Sequence, residues 1–147
     1  IKKFKIYIII LFVIFNLANE DMMAKDLTEY KWNNRLILVI ANDPSENQFN
    51  LQLEELKKHL PGLADRKVVV YKILPDKYQL ENFKKDEWIN SSDLYDEHKQ
   101  SDSPFEVILI GLDGGVKLAK NRPVACEELF ALIDIMPMRM RELKNRG

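Results

Sequence analysis

Leu36-Ile37-Leu38-Val39-Ile40-Ala41 is an unbroken apolar run, and Asn42-Asp43-Pro44-Ser45-Glu46-Asn47 follows it at once. The run has no polar alternation and is rich in β-branched residues, which predicts a strand covered on both faces. The polar segment carries helix-start signals. Asp43 stands as an N-cap, Pro44 at the first helical position and Glu46 at the third. Phe49, Leu53, Leu56, Leu60 and Leu63 then recur at spacings of four and three, one helical face that Pro61-Gly62 is expected to stop.

Residues 67–74 (KVVVYKIL) form the next apolar run. A strand, a helix and a second buried strand make a βαβ unit, whose strands pair in parallel. Residues 75–104 are polar and charged, with a short helix expected near 92–99 and the rest either irregular or a functional insertion. Residues 105–111 (FEVILIG) read as a third strand, and Asp113-Gly114 before residues 116–120 signals a hairpin whose turn positions take positive φ. Pro123 is expected to open a last helix with a stripe of Cys126, Leu129, Phe130 and Ile133, and Pro137 to end it.

The order is βα, βα, β-hairpin, α, an α/β pattern that resembles the thioredoxin-like fold: a βαβ half followed by a ββα half, three layers around a mixed sheet. In that fold a proline, usually cis, precedes the strand entering the hairpin, and Pro104 occupies this place. Three stretches carry a narrower resemblance: residues 30–35 (YKWNNR), 108–117 (ILIGLDGGVK) and 132–139 (LIDIMPMR). On them the chain is similar to the domain of unknown function 4174 family, a thioredoxin-like or peroxiredoxin-like group. The family positions are Trp32, Arg35, Asp113, Gly114, Gly115, Lys117, Asp134, Met136, Pro137, Met138 and Arg139. The resemblance implies this fold and a place in exported bacterial or secreted vertebrate matrix-associated proteins. It implies no activity.

Lys2, Lys3 and Lys5 followed by apolar residues 6–15 predict a signal peptide over residues 1–18, with an uncleaved anchor as the alternative. The run is shorter than the roughly 20 residues that span a bilayer, so no membrane span is expected after its removal. The remaining domain, 26–147, is expected to be mildly acidic and periplasmic or extracellular. The whole chain has 147 residues and a formal charge of −1, with no polybasic patch to start nucleic-acid binding. Its single cysteine excludes an internal disulfide and a multi-cysteine metal site.

That cysteine count also decides the chemistry. A thioredoxin places its nucleophilic thiol between the first buried strand and the following helix. Residues 42–47 hold none there, which excludes dithiol oxidoreductase activity. Cys126 reads as a buried hydrophobe on its helical stripe, or alternatively as a single-thiol redox sensor. Asp43 and Ser45 either cap the helix or, with Arg35 and Pro104, line a binding site. Asp113-Gly114-Gly115 lacks the further oxygen ligands of a calcium loop. Trp32 with Arg35 and Asp134 with Arg139 are expected to form polar or ionic clusters near the sheet ends. Met136, Met138 and Met140 fill core or present an adaptable surface. His59 and His98 have no metal-ligand spacing and are expected in solvent, so no metal or cofactor is expected. Asn90-Ser91-Ser92 is a glycosylation sequon. The leading expectation is an exported binding or structural module for an extracytoplasmic protein or small ligand. A non-thiol enzyme on the same scaffold is the alternative.

Overall fold

The computed structural model describes residues 25–81 and 87–147. The expected signal peptide, residues 1–18, lies outside the described residues. After a 3₁₀ turn at Leu27–Tyr30 the chain enters β1 (Arg35–Ala41), buried along its whole length. Then come α1 (Asn47–Lys57), α2 (Leu60–Asp65), β2 (Val68–Leu74), β3 (Lys77–Glu81), the two-residue β4 (Ile89–Asn90) and α3 (Asp93–His98). β5 (Phe105–Ile110), β6 (Val116–Lys120), α4 (Cys126–Asp134) and α5 (Pro137–Lys144) complete it.

The sheet has six strands in the order β4-β3-β2-β1-β5-β6. β1 pairs parallel with β2 and antiparallel with β5, placing Leu36 opposite Ile110 and Ala41 opposite Phe105. Alternate residues of β1 face opposite layers, as the pleat requires. Ile37, Val39 and Ala41 pack with Phe49, Leu56, Leu63, Leu129 and Ile133. Leu36, Leu38 and Ile40 pack with Leu27, Tyr71 and Leu94 on the other face. Two helical layers thus enclose one mixed sheet, the thioredoxin-like arrangement.

Several local expectations are corrected. Glu46, not Asp43, caps α1; Asp43 folds back on Ser45 instead. Pro61 does not stop a helix but sits in the first turn of α2, where the N–H it lacks has no intrahelical acceptor. Leu60, expected on the buried face, is exposed because the helix breaks before it. α4 begins at Cys126 rather than at Pro123, and Pro137 opens α5. Among the described residues no peptide bond is cis, so Pro104 takes the ordinary trans form. In the β5–β6 turn only Gly114 has positive φ (81°); Asp113 keeps negative φ and accepts the Gly115 N–H at 2.9 Å. The segment after residue 74 is not a loop with one helix. It begins with a third strand that extends the sheet beyond β2.

Candidate functional site

The two ends of β1 divide the candidate residues. At the Ala41 end, the Asn42 N–H donates to the Pro104 carbonyl at 2.9 Å. Asp43 Oδ1 accepts the Ser45 N–H at 2.7 Å and its hydroxyl at 2.6 Å, which lowers the Asp43 pKa. Tyr95 donates to Asn42 Oδ1 at 2.6 Å. Asp43, Ser45 and Pro104 therefore share this end. Arg35 opens β1 and lies at the other, roughly 20 Å away at the rise of an extended strand. A single site lined by all four residues is excluded by this geometry.

At the Arg35 end the three sequence stretches meet. A cavity of about 510 Å³ is lined by Arg35 from the first, Gly111, Leu112, Asp113 and Lys117 from the second, and Leu132, Ile135, Met136, Pro137 and Met138 from the third. Among the described residues, none from elsewhere in the chain lines it. The antiparallel register brings the end of β5 beside the start of β1, and the α4–α5 junction closes over both. Trp32 fastens the first stretch to the second: its N–H donates to the Leu112 carbonyl at 2.7 Å. Trp32 holds φ 69°, a left-handed conformation that costs about 1–3 kcal/mol for a bulky residue.

An ion network supports the cavity from behind. Arg139 is 1% exposed and reaches Asp134 at 3.2 Å, Glu142 at 3.2 Å, the Asp65 carbonyl at 3.0 Å and the Asp65 carboxylate. Arg66 grips Asp134 through Nε at 3.0 Å and Nη2 at 2.7 Å, while its guanidinium lies over the Phe130 ring. The bonds from Arg66 and then Arg139 hold the Asp134 carboxyl below its usual range, and Arg146 and Arg139 do so for Asp65. The expected Asp134–Arg139 pair is therefore present. Trp32 and Arg35 form no pair; Trp32 is exposed.

Arg35, only 1% exposed, is the unbalanced member. Its Nη1 donates to the Arg66 carbonyl at 2.9 Å and to both Glu142 oxygens at 3.3 Å. Among the described residues its Nε and Nη2 have no hydrogen-bond partner, and both are closed off from water. Each unsatisfied buried donor costs on the order of 1–3 kcal/mol. A second set of unused donors lies alongside. α5 has no side-chain cap, and among the described residues the Met138 and Arg139 N–H groups meet no acceptor. α4 differs: its Cys126 N–H donates to Glu55 Oε1 at 2.9 Å. Across the cavity Lys117 is bound to Asp113 at 2.8 Å, leaving that pair neutral.

Cys126 is fully buried in α4, and burial raises its thiol pKa to about 11. It faces Glu55 and His59, whose ligand atoms lie with its sulfur within 4.8 Å of one another. Hydrogen bonds already account for this grouping: Glu55 takes the Cys126 N–H, and His59 Nδ1 lies 2.9 Å from the Glu55 carbonyl. His98 is not in solvent as expected; it is half-buried, and burial lowers its pKa.

Sequence reasoning missed Glu142, Arg66 and Asp65. They lie outside the three stretches singled out in the sequence, and only the close approach of α2, β1 and α5 gives them a role.

The architecture defines a thioredoxin-like fold. It is similar to the crystal structure of reduced Plasmodium vivax 2-Cys peroxiredoxin, with a TM-score of 0.52 at 15% identity over 79% of this chain and 83% of that one. The chain belongs to the family described as Domain of unknown function (DUF4174), whose profile matches residues 26–142. Zebrafish (Danio rerio) coiled-coil domain-containing protein 80 is 26% identical over 142 residues, covering 84% of this chain and 16% of the relative. Human sushi repeat-containing protein SRPX2 is 26% identical over 133 residues, 88% of this chain and 28% of the relative. The chain thus spans less than a third of the curated relatives it matches. Among the described residues no helix is long and apolar enough to cross a membrane.

Proposed function

We propose that this domain is an exported binding module that uses no thiol chemistry and holds its ligand in the cavity at the Arg35 end of β1. The carrying observation is that, among the described residues, all of the cavity's lining comes from the three stretches on which the family resemblance was read. The 42–47 loop, where a peroxiredoxin-like scaffold would place its thiol, has none. The one cysteine sits in the core as a neutral thiol, which disfavours the sensor reading. Export rests on the three early lysines and the apolar run after them.

Binding to the native state alone raises its melting temperature. A thermal-shift screen of chemically mixed small molecules is therefore run on the domain and on Ile135→Glu, which places a charge at an exposed lining position. Stabilisers that Ile135→Glu abolishes are the expected result; a screen with none defeats the cavity reading. Export is checked separately by mass spectrometry of the protein from its own host. An N-terminus near residue 19 in the extracytoplasmic fraction is expected, and intact cytoplasmic protein would exclude it.

A further inference from the structure

Resting on that cavity, the geometry points to the class of ligand: we infer that it is a small organic monoanion, a carboxylate carried on an apolar body. Arg35 receives the head group, together with the start of α5.

The argument begins with Arg35. Nε and Nη2 form one edge of the guanidinium and present two parallel N–H vectors, the spacing a carboxylate accepts in bidentate fashion. This is the pair left without partners, on a side chain that is 1% exposed and lines the cavity. The opposite corner, Nη1, is already engaged with Glu142 and the Arg66 carbonyl. The second source is independent. α5 has eight residues and no side-chain cap, and among the described residues its Met138 and Arg139 N–H groups meet no acceptor. Its N-terminus carries partial positive charge that favours an anion.

Charge decides the valence. Arg35, Arg66, Arg139 and Arg146 are joined through Asp65, Asp134 and Glu142, four cations to three carboxylates. Asp113 adds nothing, because Lys117 neutralises it. One positive charge is in excess, at the member whose donors are unused. The walls decide the rest of the ligand. Leu112, Leu132, Ile135, Met136 and Met138 line most of a volume in the range that holds small molecules. An inorganic anion would leave these walls in water. Because both donors are closed off from water in this structure, the head group reaches them only when lining side chains move, and the methionine thioethers have the torsional freedom for that.

The test titrates the domain by calorimetry with decanoate, below its micellar concentration, and in parallel with decanol and inorganic phosphate. Saturable one-to-one decanoate binding is expected, at least tenfold tighter than either control. Arg35→Gln weakens it at least tenfold, and Ile135→Glu, at an exposed position that leaves the core intact, abolishes it. Equal binding of decanol overturns the anion inference while the cavity reading stands. Equal binding of phosphate overturns the apolar body. No decanoate binding overturns the inference outright. The screen then judges the cavity reading separately, since neutral stabilisers lost in Ile135→Glu keep it and their absence ends it.

Discussion

Where β1 runs into α1, Asp43 absorbs the Ser45 N–H and hydroxyl, Tyr95 satisfies Asn42, and Pro104 receives the Asn42 N–H. Where β1 begins, Arg35 is fully buried yet leaves two donors unused, and the neighbouring helix starts without a cap. A thioredoxin-like scaffold ordinarily works from the first of these ends, because the helix that follows the strand activates a thiol there. In this chain the polar groups of that loop bind one another, while the buried unpaired donors of Arg35 lie at the opposite end of the strand. On the reading proposed above, residual hydrogen-bonding capacity in a buried setting is a better guide to the site than analogy with the position of an absent thiol.

Four substitutions break or sharpen this contrast. Arg139→Ala removes the cation shared by Asp65, Asp134 and Glu142 and is expected to cost about 3 kcal/mol, read by urea denaturation. A loss below about 1 kcal/mol would mean the network does not brace the cavity. Asp134→Asn comes next. Arg66 and Arg139 lower the folded pKa of Asp134, so its stabilisation is present above the unfolded value of about 3.9 and fades as the pH falls below it. The variant should be less stable than the parent by about 1 kcal/mol at neutral pH, with the gap closing below about pH 4. A gap unchanged down to about pH 2 would refute the pairing.

Arg35→Met is expected to cost less than about 1 kcal/mol, because it removes two orphaned donors along with one ion pair, and Arg139 still holds Glu142. A cost matching that of Arg139→Ala would make Arg35 a structural pillar rather than a reserved one. Ser45→Ala, at the satisfied end, should shift stability by no more than about 0.5 kcal/mol, since the loop is exposed. It should also leave ligand-induced melting shifts untouched. Loss of those shifts would return the site to the 42–47 loop.

The central strands were legible because residues 36–41 and 105–110 are buried on both faces, residues 68–74 are at least half-buried, and none carries a competing polar pattern. β3 escaped notice for a definable reason. Its hairpin turns through Pro75-Asp76, without the glycine or asparagine that primed turns demand, and Tyr78 and Gln79 are buried side by side instead of alternating. Pro61 and Pro137 were read as stops although both open helices; a proline signals a boundary without saying which side of it is helical. The site was half legible. Its lining residues stood out as three stretches, but their convergence depends on the β1–β5 register, and the partner that holds Arg35, Glu142, lies 107 residues away. No local pattern encodes a contact of that span.

The borders of the sheet carry a last consequence. β4 closes one border with two residues, and β6 closes the other with Lys117 and Lys120 exposed and a break in register opposite Leu109 and Ile110. Among the described residues neither border offers a long, flat, apolar template on which another chain could add a strand. A domain whose sheet ends in this way is guarded against stacking with its own copies, whatever its ligand does.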